Sequence, residues 1–394
     1  MINIVDEKKC CGCGACSAVC PQHCISMEEK TLGHVFPVVD TDICINCHLC
    51  ERVCPMLSTP KKEEFTQEAY AAYSIDSSTR FDGSSGGMFG TFSKHLIKEG
   101  FIVYGAAFDE ELNLKCTVAK TEQELKPLMK SKYLQSSLES KFNEIKKALC
   151  MGEKILFVST PCQVSALKKF LKKDYEDLIT VDFFCHGVPS QKFFNQCLKI
   201  DEKKYGGKIS DFRFREKIKN GSTPHYFSMS VKNKRKEKKV LSYYFKSTFY
   251  LAFQRYINLR ESCYNCPFAF KDRYSDITIG DFHDIDKYVE GINRFDGVST
   301  VIINTKKGKQ LWNSCSESLN VWKMDLDTLI KDGVCLSGGT KRPSNRDEFL
   351  KDYKNMSFDD FSLRWMNSKK YWKNELYYSL PKVIRNKLMK VIGG

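Results

Sequence analysis

The sequence predicts an α+β/α/β chain in two unequal parts: a small cysteine-built module, then a larger α/β domain with a mixed sheet and a helical C-terminal tail. Three observations carry this. One cysteine spacing is written twice within the first 55 residues. From residue 68 onward, apolar strand-like runs alternate with amphipathic ones, the pattern of a layered α/β sheet. Beyond residue 341 only helical periodicity continues. The expected segments are 1–57, a linker at 58–67, the α/β domain at 68–340 and the extension at 341–394.

The doubled run reads Cys10-x2-Cys13-x2-Cys16-x3-Cys20-Pro21 and Cys44-x2-Cys47-x2-Cys50-x3-Cys54-Pro55. This spacing lets three thiolates close on one iron–sulfur cube while the fourth reaches the other. The ligand sets are therefore expected to cross, with Cys10, Cys13, Cys16 and Cys54 on one [4Fe-4S] cluster and Cys44, Cys47, Cys50 and Cys20 on the second. Zinc takes four tetrahedral ligands and has no use for this arrangement. The module thus reads as a bacterial-type two-cluster ferredoxin, an electron wire. Gly12, Gly14 and Ala15 let backbone N–H groups approach cluster sulfurs. Cys11 and Cys24 fall outside the pattern and read as spare thiols. Ile25–Met27 and His34–Val39 flank a turn at Leu32-Gly33, a small hairpin, and the polar, proline-bearing Ser58–Gln67 reads as the linker.

The 394 residues leave ample room for an enzyme. Met1–Lys9 lacks an apolar leader, and runs such as Phe101–Phe108 fall far short of the ~20 residues a spanning helix needs. A cytoplasmic location is expected. Nineteen cysteines without an export signal fit reduced thiols and metal ligands better than disulfides. The formal charge of +14 does not point to nucleic acid, because each oxidised cube with four thiolates carries about −2 and offsets it. The densest basic run, Lys232–Lys239, lies between the apolar stretches Tyr226–Val231 and Val240–Phe245 and reads first as a hairpin tip and second as a docking patch for an acidic partner.

Within the α/β domain, Met88–Lys98 is expected to be helical and Phe101–Phe108 a strand. Glu139–Leu149 reads as helix, Lys154–Ser159 as a buried strand, Gln163–Lys172 as an amphipathic helix and Leu178–Phe184 as another buried strand. Strand, helix, strand in that order implies a right-handed parallel crossover. A helix near Tyr250–Leu259 and strands at Ile277–Gly280 and Val298–Ile303 come next. In the tail, Leu380–Ile392 reads as an amphipathic basic helix that packs on the parent domain or a partner, with peripheral membrane contact as the alternative.

Two of these strands end in turns bearing cysteines, Thr160-Pro161-Cys162 and Cys185-His186-Gly187. Ligands of open parallel sheets bind at the carboxyl ends of strands, so both belong on one functional edge. With Cys263-x2-Cys266-Pro267 they make a possible four-thiolate set. Spacing alone leaves open two small buried hydrophobes and half of a zinc site. Asp82-Gly83-Ser84-Ser85-Gly86-Gly87 precedes a helix, where free N–H groups suit a phosphate as well as an ordinary cap. His186 at a strand end could serve as acid or base. Asp281, closing Ile277–Gly280, is a further candidate on the same edge.

Six motifs in order resemble the coenzyme F420 hydrogenase/dehydrogenase beta-subunit family: Ser84-Ser85-Gly86-Gly87-Met88, Ser131-Lys132-Tyr133-Leu134-Gln135-Ser136, Ser159-Thr160-Pro161-Cys162-Gln163, Cys185-His186-Gly187-Val188-Pro189-Ser190, Cys263-Tyr264-Asn265-Cys266-Pro267 and Ser275-Asp276-Ile277-Thr278-Ile279-Gly280-Asp281-Phe282. The resemblance implies a flavin-binding α/β domain holding FAD beside a third [4Fe-4S] cluster, which falls to Cys162, Cys185, Cys263 and Cys266. It assigns the flavin to Ser85, Gly86, Gly87, Lys132, Tyr133, Gln135, Ser136, Thr160, Pro161 and His186, and catalytic roles to His186, Lys132 and Asp281. The implied activity is hydride exchange with coenzyme F420 or another small molecule. The implied partner is a redox protein, a ferredoxin or an oxidoreductase subunit. The alternatives are a non-catalytic electron-transfer subunit and a redox accessory to polysaccharide biosynthesis.

Overall fold

The computed structural model describes residues 6–218, 226–234, 236–332, 335–367 and 376. In the N-terminal module, strands β1 (Ile25–Glu29) and β2 (Val35–Val39) pair antiparallel, with Ile25 opposite Val39 and a turn at Leu32-Gly33. Short helices Ala15–Val19 and Leu49–Arg52 lie inside the two cysteine runs. Much of the module's interior is sulfur: Cys20, Cys24 and Cys50 are buried with Ile25. The segment before β3 has no regular structure, yet it is tied down. Lys62 pairs with Asp272 at 2.8 Å, and Gln67 donates to the Lys271 carbonyl and Asn304.

The larger part is built on an eight-stranded mixed sheet. Its strands begin with β3 (Glu68–Ser74), β4 (Ile102–Phe108), β5 (Leu114–Ala119), β6 (Ile155–Val158) and β7 (Leu178–Phe183). A separate three-stranded antiparallel sheet comes next, made of β8 (Lys208–Glu216), β9 (Tyr226–Lys232) and β10 (Glu237–Tyr243). The chain then returns to the large sheet with β11 (Ile277–Asp281), β12 (Ser299–Ile303) and β13 (Leu319–Met324). The order in space is β13-β3-β12-β11-β7-β6-β4-β5. The central four, β4, β6, β7 and β11, run parallel, and the flanking pairs are antiparallel.

Both faces of the sheet are covered, which is why β6 reads as a continuous apolar run and β7 as a mostly apolar one. Met88, Phe92 and Leu96 of helix Met88–Lys98, with Leu311 and Trp312 of helix Lys306–Ser314, pack on Leu156, Val181 and Val301 of one face. Phe142, Ile145 and Leu149 of helix Glu139–Cys150, with Val164, Leu167 and Phe170 of helix Pro161–Leu171, cover Ile155 and Phe157 of the other. Ala15 and Val53 join that second cluster, so the cysteine module docks over these two helices.

Several expectations need correction. The helix expected near Tyr250–Leu259 is the shorter Thr248–Phe253, buried on every side. Strands β3, β5, β8 and β13 and helix Gln191–Tyr205 were not anticipated. The alanines of β3 and the alternating charges of β8 weaken the strand signal. The basic run is a hairpin tip, with Lys232 opposite Glu237. In the tail, helices Arg346–Asn355 and Phe358–Trp365 pack Phe349 and Phe361 against Phe193. The stretch Leu380–Ile392 lies outside the described residues. Among the described residues no helix is long and apolar enough to cross a membrane.

Candidate functional site

Strands β6 and β7 lie side by side and parallel, with Val158 opposite Val181, so the turns at their carboxyl ends emerge on the same edge. Cys162 sits in the first turn of helix Pro161–Leu171, and Cys185 two residues beyond β7. The turn Glu261–Asn265 brings Cys263 and, just beyond it, Cys266 to the same place. Each of Cys185, Cys263 and Cys266 feels the charge of Cys162, and Cys185 feels all three others. Gly187 makes the approach possible: at φ +112° it has no Cβ, and one there would meet the Cβ of Cys263 at 2.9 Å.

The chemistry of these donors fits an iron–sulfur cube. Burial pushes the Cys263 thiol up to about 11 and Cys266 up to about 12. Crowded, desolvated thiols of this kind become thiolates only against a positive core. Cys162 behaves differently: a hydrogen bond from Cys11, then one from Thr160 and the charge of Arg260, outweigh burial and bring it down to about 7. This inner site is the four-thiolate set implied by the resemblance.

The N-terminal thiols form two further sites. Cys10, Cys13, Cys16 and Cys54 line one small cavity of about 30 Å³ with Gly12 and Gly14, which is the crossed combination. Cys50 also reaches that cavity, so the second site adjoins the first. There Cys20 lies 3.3 Å from Cys24, Cys24 meets Cys44, and Cys50 feels Cys47. The thiols read as spare are therefore placed among the others: Cys24 stands inside the outer site, and Cys11 bridges Cys13 to Cys162. Their position depends on tertiary packing that no spacing pattern encodes. Among the described residues no three His, Cys, Asp or Glu side chains gather for a single metal ion; a cube spreads its thiolates over four irons, a different requirement.

Beyond the inner site opens a cavity of about 300 Å³, with Cys185 in its wall. That volume is at the lower end of the range of small-molecule sites. One end is formed by Ser84, Ser85 and Gly87 at the start of helix Met88–Lys98, whose first N–H groups have no side-chain cap. Lys132 adds a cation, Lys130 and Arg215 are cations paired with Glu216 and Asp281, and Tyr133, Phe184 and Phe253 supply aromatic wall. Uncapped N–H groups and ammoniums at one end suit a pyrophosphate, and the aromatic wall a flat ring, so the residues fit a flavin nucleotide.

The cavity's titratable groups are held by neighbours. Lys132 donates to the carbonyls of Pro127 and Met129, both at 2.7 Å, while burial and then Arg213 lower it to about 7. His186 stacks on Tyr256 with ring centres 5.8 Å apart, and its Nδ1 lies 3.4 Å from the Cys335 sulfur. Burial keeps its imidazole neutral against the pull of Asp281. Asp281 itself accepts a hydrogen bond from Arg215 of β8.

Residues 152–328 match the family model for the C-terminal region of the coenzyme F420 hydrogenase/dehydrogenase beta subunit, and residues 9–57 match the 4Fe-4S dicluster domain. Residues 152–328 are thus similar to the C-terminal region of that beta-subunit family. A curated relative, the coenzyme F420-dependent sulfite reductase of Methanocaldococcus jannaschii, is 26% identical over 338 residues, 79% of this chain. The chain spans about half of that relative, 47% of its length. Among solved structures, a chain of the F420-reducing [NiFe] hydrogenase complex from Methanosarcina barkeri is similar with a TM-score of 0.45 and 19% identity, over 69% of this chain and 89% of that one.

Of the expected site, Ser85, Gly87, Lys132, Tyr133, Ser136, Thr160, His186 and Asp281 all line the cavity. Gly86, Gln135 and Pro161 do not. Gly86 donates to Ser299 Oγ, Pro161 opens its helix, and Gln135 turns away to donate to the Cys11 carbonyl at 2.6 Å. Sequence reasoning missed Arg215, Lys217, Cys335 and Arg260. Single basic residues are inconspicuous in so basic a chain, and only the alternation Arg213-Phe214-Arg215 hinted at a strand with one charged face.

Proposed function

We propose that the chain is an iron–sulfur flavoprotein oxidoreductase, exchanging reducing equivalents between ferredoxin-type clusters and a small molecule docked in the large cavity. In this reading residues 1–57 hold two [4Fe-4S] clusters, residues 68–340 hold a third and FAD, and 341–394 is a helical extension. The observation that carries it is the unbroken succession of thiol sites. The outer site of Cys20, Cys44, Cys47 and Cys50 adjoins the first site, Cys11 links the first to the inner site, and Cys185 of the inner site borders the cavity.

When bound, the clusters supply one-electron storage and FAD supplies two-electron hydride chemistry. The protein's own groups have separate tasks. The N–H groups at the start of helix Met88–Lys98 and the Lys132 ammonium bind a pyrophosphate. Tyr133 and Phe253, stacked at 4.7 Å, exclude water from one wall. The neutral imidazole of His186 can take or give a proton at the cavity. Asp281 orients Arg215 toward an anionic ligand.

Coenzyme F420, named in the matched family and in the curated relative, is one candidate small molecule; another anionic redox carrier would meet the same cations. A ferredoxin or an oxidoreductase subunit would meet the outer site, in the cytoplasm. The protein purified without oxygen is expected to carry about twelve irons and one FAD per chain, four irons for each four-cysteine site. Eight irons and no flavin would overturn the reading.

A further inference from the structure

Arg260 is among the largest wholly buried side chains, 1% exposed, and it stands where the first and inner sites meet. All of its hydrogen bonds go to neutral acceptors: the carbonyls of Cys10 at 3.3 Å and Val35 at 2.9 Å, and Gln135 Oε1 at 3.2 Å. The guanidinium also lies over the Phe36 ring, 4.7 Å from its centre. Gly12, at φ +64°, is shaped around it: a Cβ there would come within 2.3 Å of Nη2. His34, buried beside it, is held neutral by burial and then by this charge.

The sulfurs this cation acts on belong to two sites, Cys10 of the first and Cys162 and Cys263 of the inner one. Two other buried arginines approach the inner site, but each has a carboxylate nearby. Arg273, which acts on Cys266, is 3.9 Å from Asp182, and Arg346, which acts on Cys263, is 3.8 Å from Glu261. At the outer site the charged side chain acting on Cys50 is the acidic Glu51, which also lines the cavity of the first site, where Arg260 opposes it. Positive potential thus rises from the outer site inward. A reduced cube carries one more negative charge than an oxidised one, so a cation that water cannot screen favours reduction.

We infer that Arg260 sets the reduction potentials of the clusters at the first and inner sites, making both easier to reduce than the outer one and drawing electrons toward the cavity. The inference rests on the three-cluster reading above. Each electron gained further in is one lost by the outer cluster, whose own source is a reduced ferredoxin-class protein, and no proton need move.

The test is an anaerobic redox titration of the holoprotein followed by electron paramagnetic resonance, with Cys47→Ser identifying the outer signal. In Arg260→Gln the ratio of reduced to oxidised first and inner clusters is expected to fall at least tenfold at a given poise, about 59 mV for one electron. The outer cluster should not move, and Arg260→Lys should keep the wild-type values. Unchanged potentials in Arg260→Gln, an equal shift of all three, or an Arg260→Lys shift as large as that of Gln would overturn the inference. Should Arg260→Gln lose its iron, the wild-type order decides: inner clusters above the outer one support it, and the outer one highest overturns it. Only eight irons in the wild type would instead remove the inner cluster, and with it the reading beneath.

Discussion

The thiol of Cys11 is hydrogen-bonded to that of Cys162, joining a loop of the cysteine module to the helix that comes after β6. The same thiol reaches Cys13. Hydrogen bonding to both, with burial, pushes Cys11 well up, whereas that bond is the main pull lowering Cys13 and Cys162. Cys11, with its single S–H, is the donor these two sulfurs share.

Cys11→Ala is accordingly expected to keep the full iron content, because each site still has four cysteines. It should lower the unfolding free energy by about 1.5–3 kcal/mol, the range for a hydrogen bond to a charged group. Cys13→Ser should instead lose about four irons per chain. Iron assay and urea unfolding of the same samples distinguish the two, and iron loss in Cys11→Ala would make Cys11 a ligand.

Asp281 at the end of β11 and Arg215 on β8 tie the two sheets together across the cavity, with side chains only 24% and 13% exposed. Burial opposes the charged carboxylate, but the Arg215 guanidinium outweighs it and holds the carboxyl below its usual range. The stabilisation is thus present above the unfolded value near 4 and lost as pH falls through the lower folded value. Asp281→Asn should cost about 3 kcal/mol at pH 7, mainly by leaving Arg215 unpaired, and the difference from wild type should shrink toward acid. Urea unfolding across that pH range measures both.

The doubled spacing made the cysteine module legible because ligation fixes distance along the chain. The β6–helix–β7 crossover was legible because two strands buried on both faces are mostly apolar, broken only by Thr180 and Asp182 of β7. Gln135 was not. Its motif placed it at the cavity, but its side chain faces the Cys11 loop, a contact created when two distant segments dock. Arg260 was hidden for the same reason: its acceptors Cys10 and Val35 lie far away in sequence. Strand β8 was missed because its inward residues, Ile209, Phe212 and Phe214, are out of strict alternation across a register shift between Ile209 and Asp211.

Asp201, in helix Gln191–Tyr205, is 1% exposed and accepts from Thr248 Oγ1 at 2.6 Å. Burial is stronger than this bond and raises the carboxyl to about 6. Between the unfolded value near 4 and about 6 the folded state holds a proton the unfolded state has lost, so stability declines with pH over that window. Asp201→Asn keeps an acceptor for Thr248 without the charge. It should be more stable than wild type at pH 7, by at most roughly 3 kcal/mol, with the gap closing below pH 4. Thermal unfolding at pH 7 and pH 4 checks the sign.

Lys132 lines the proposed flavin site, and Lys217, outside its lining, donates to the carbonyl of Ser85, which does line it. Burial lowers both to about 7, helped at Lys132 by Arg213 and at Lys217 by Arg215 and Arg80. Both ammoniums are complete only below that pH, and above it a bound anion must first restore them at a cost in affinity. Affinity for a pyrophosphate should therefore fall as pH rises from 6 to 9, by up to about tenfold per unit for each ammonium lost. Calorimetry with ADP on flavin-free protein reads this directly. Lys132→Met should weaken binding at pH 6 and flatten the slope by the share of one proton. A dissociation constant equal at pH 6 and pH 9 would place the pyrophosphate away from these lysines.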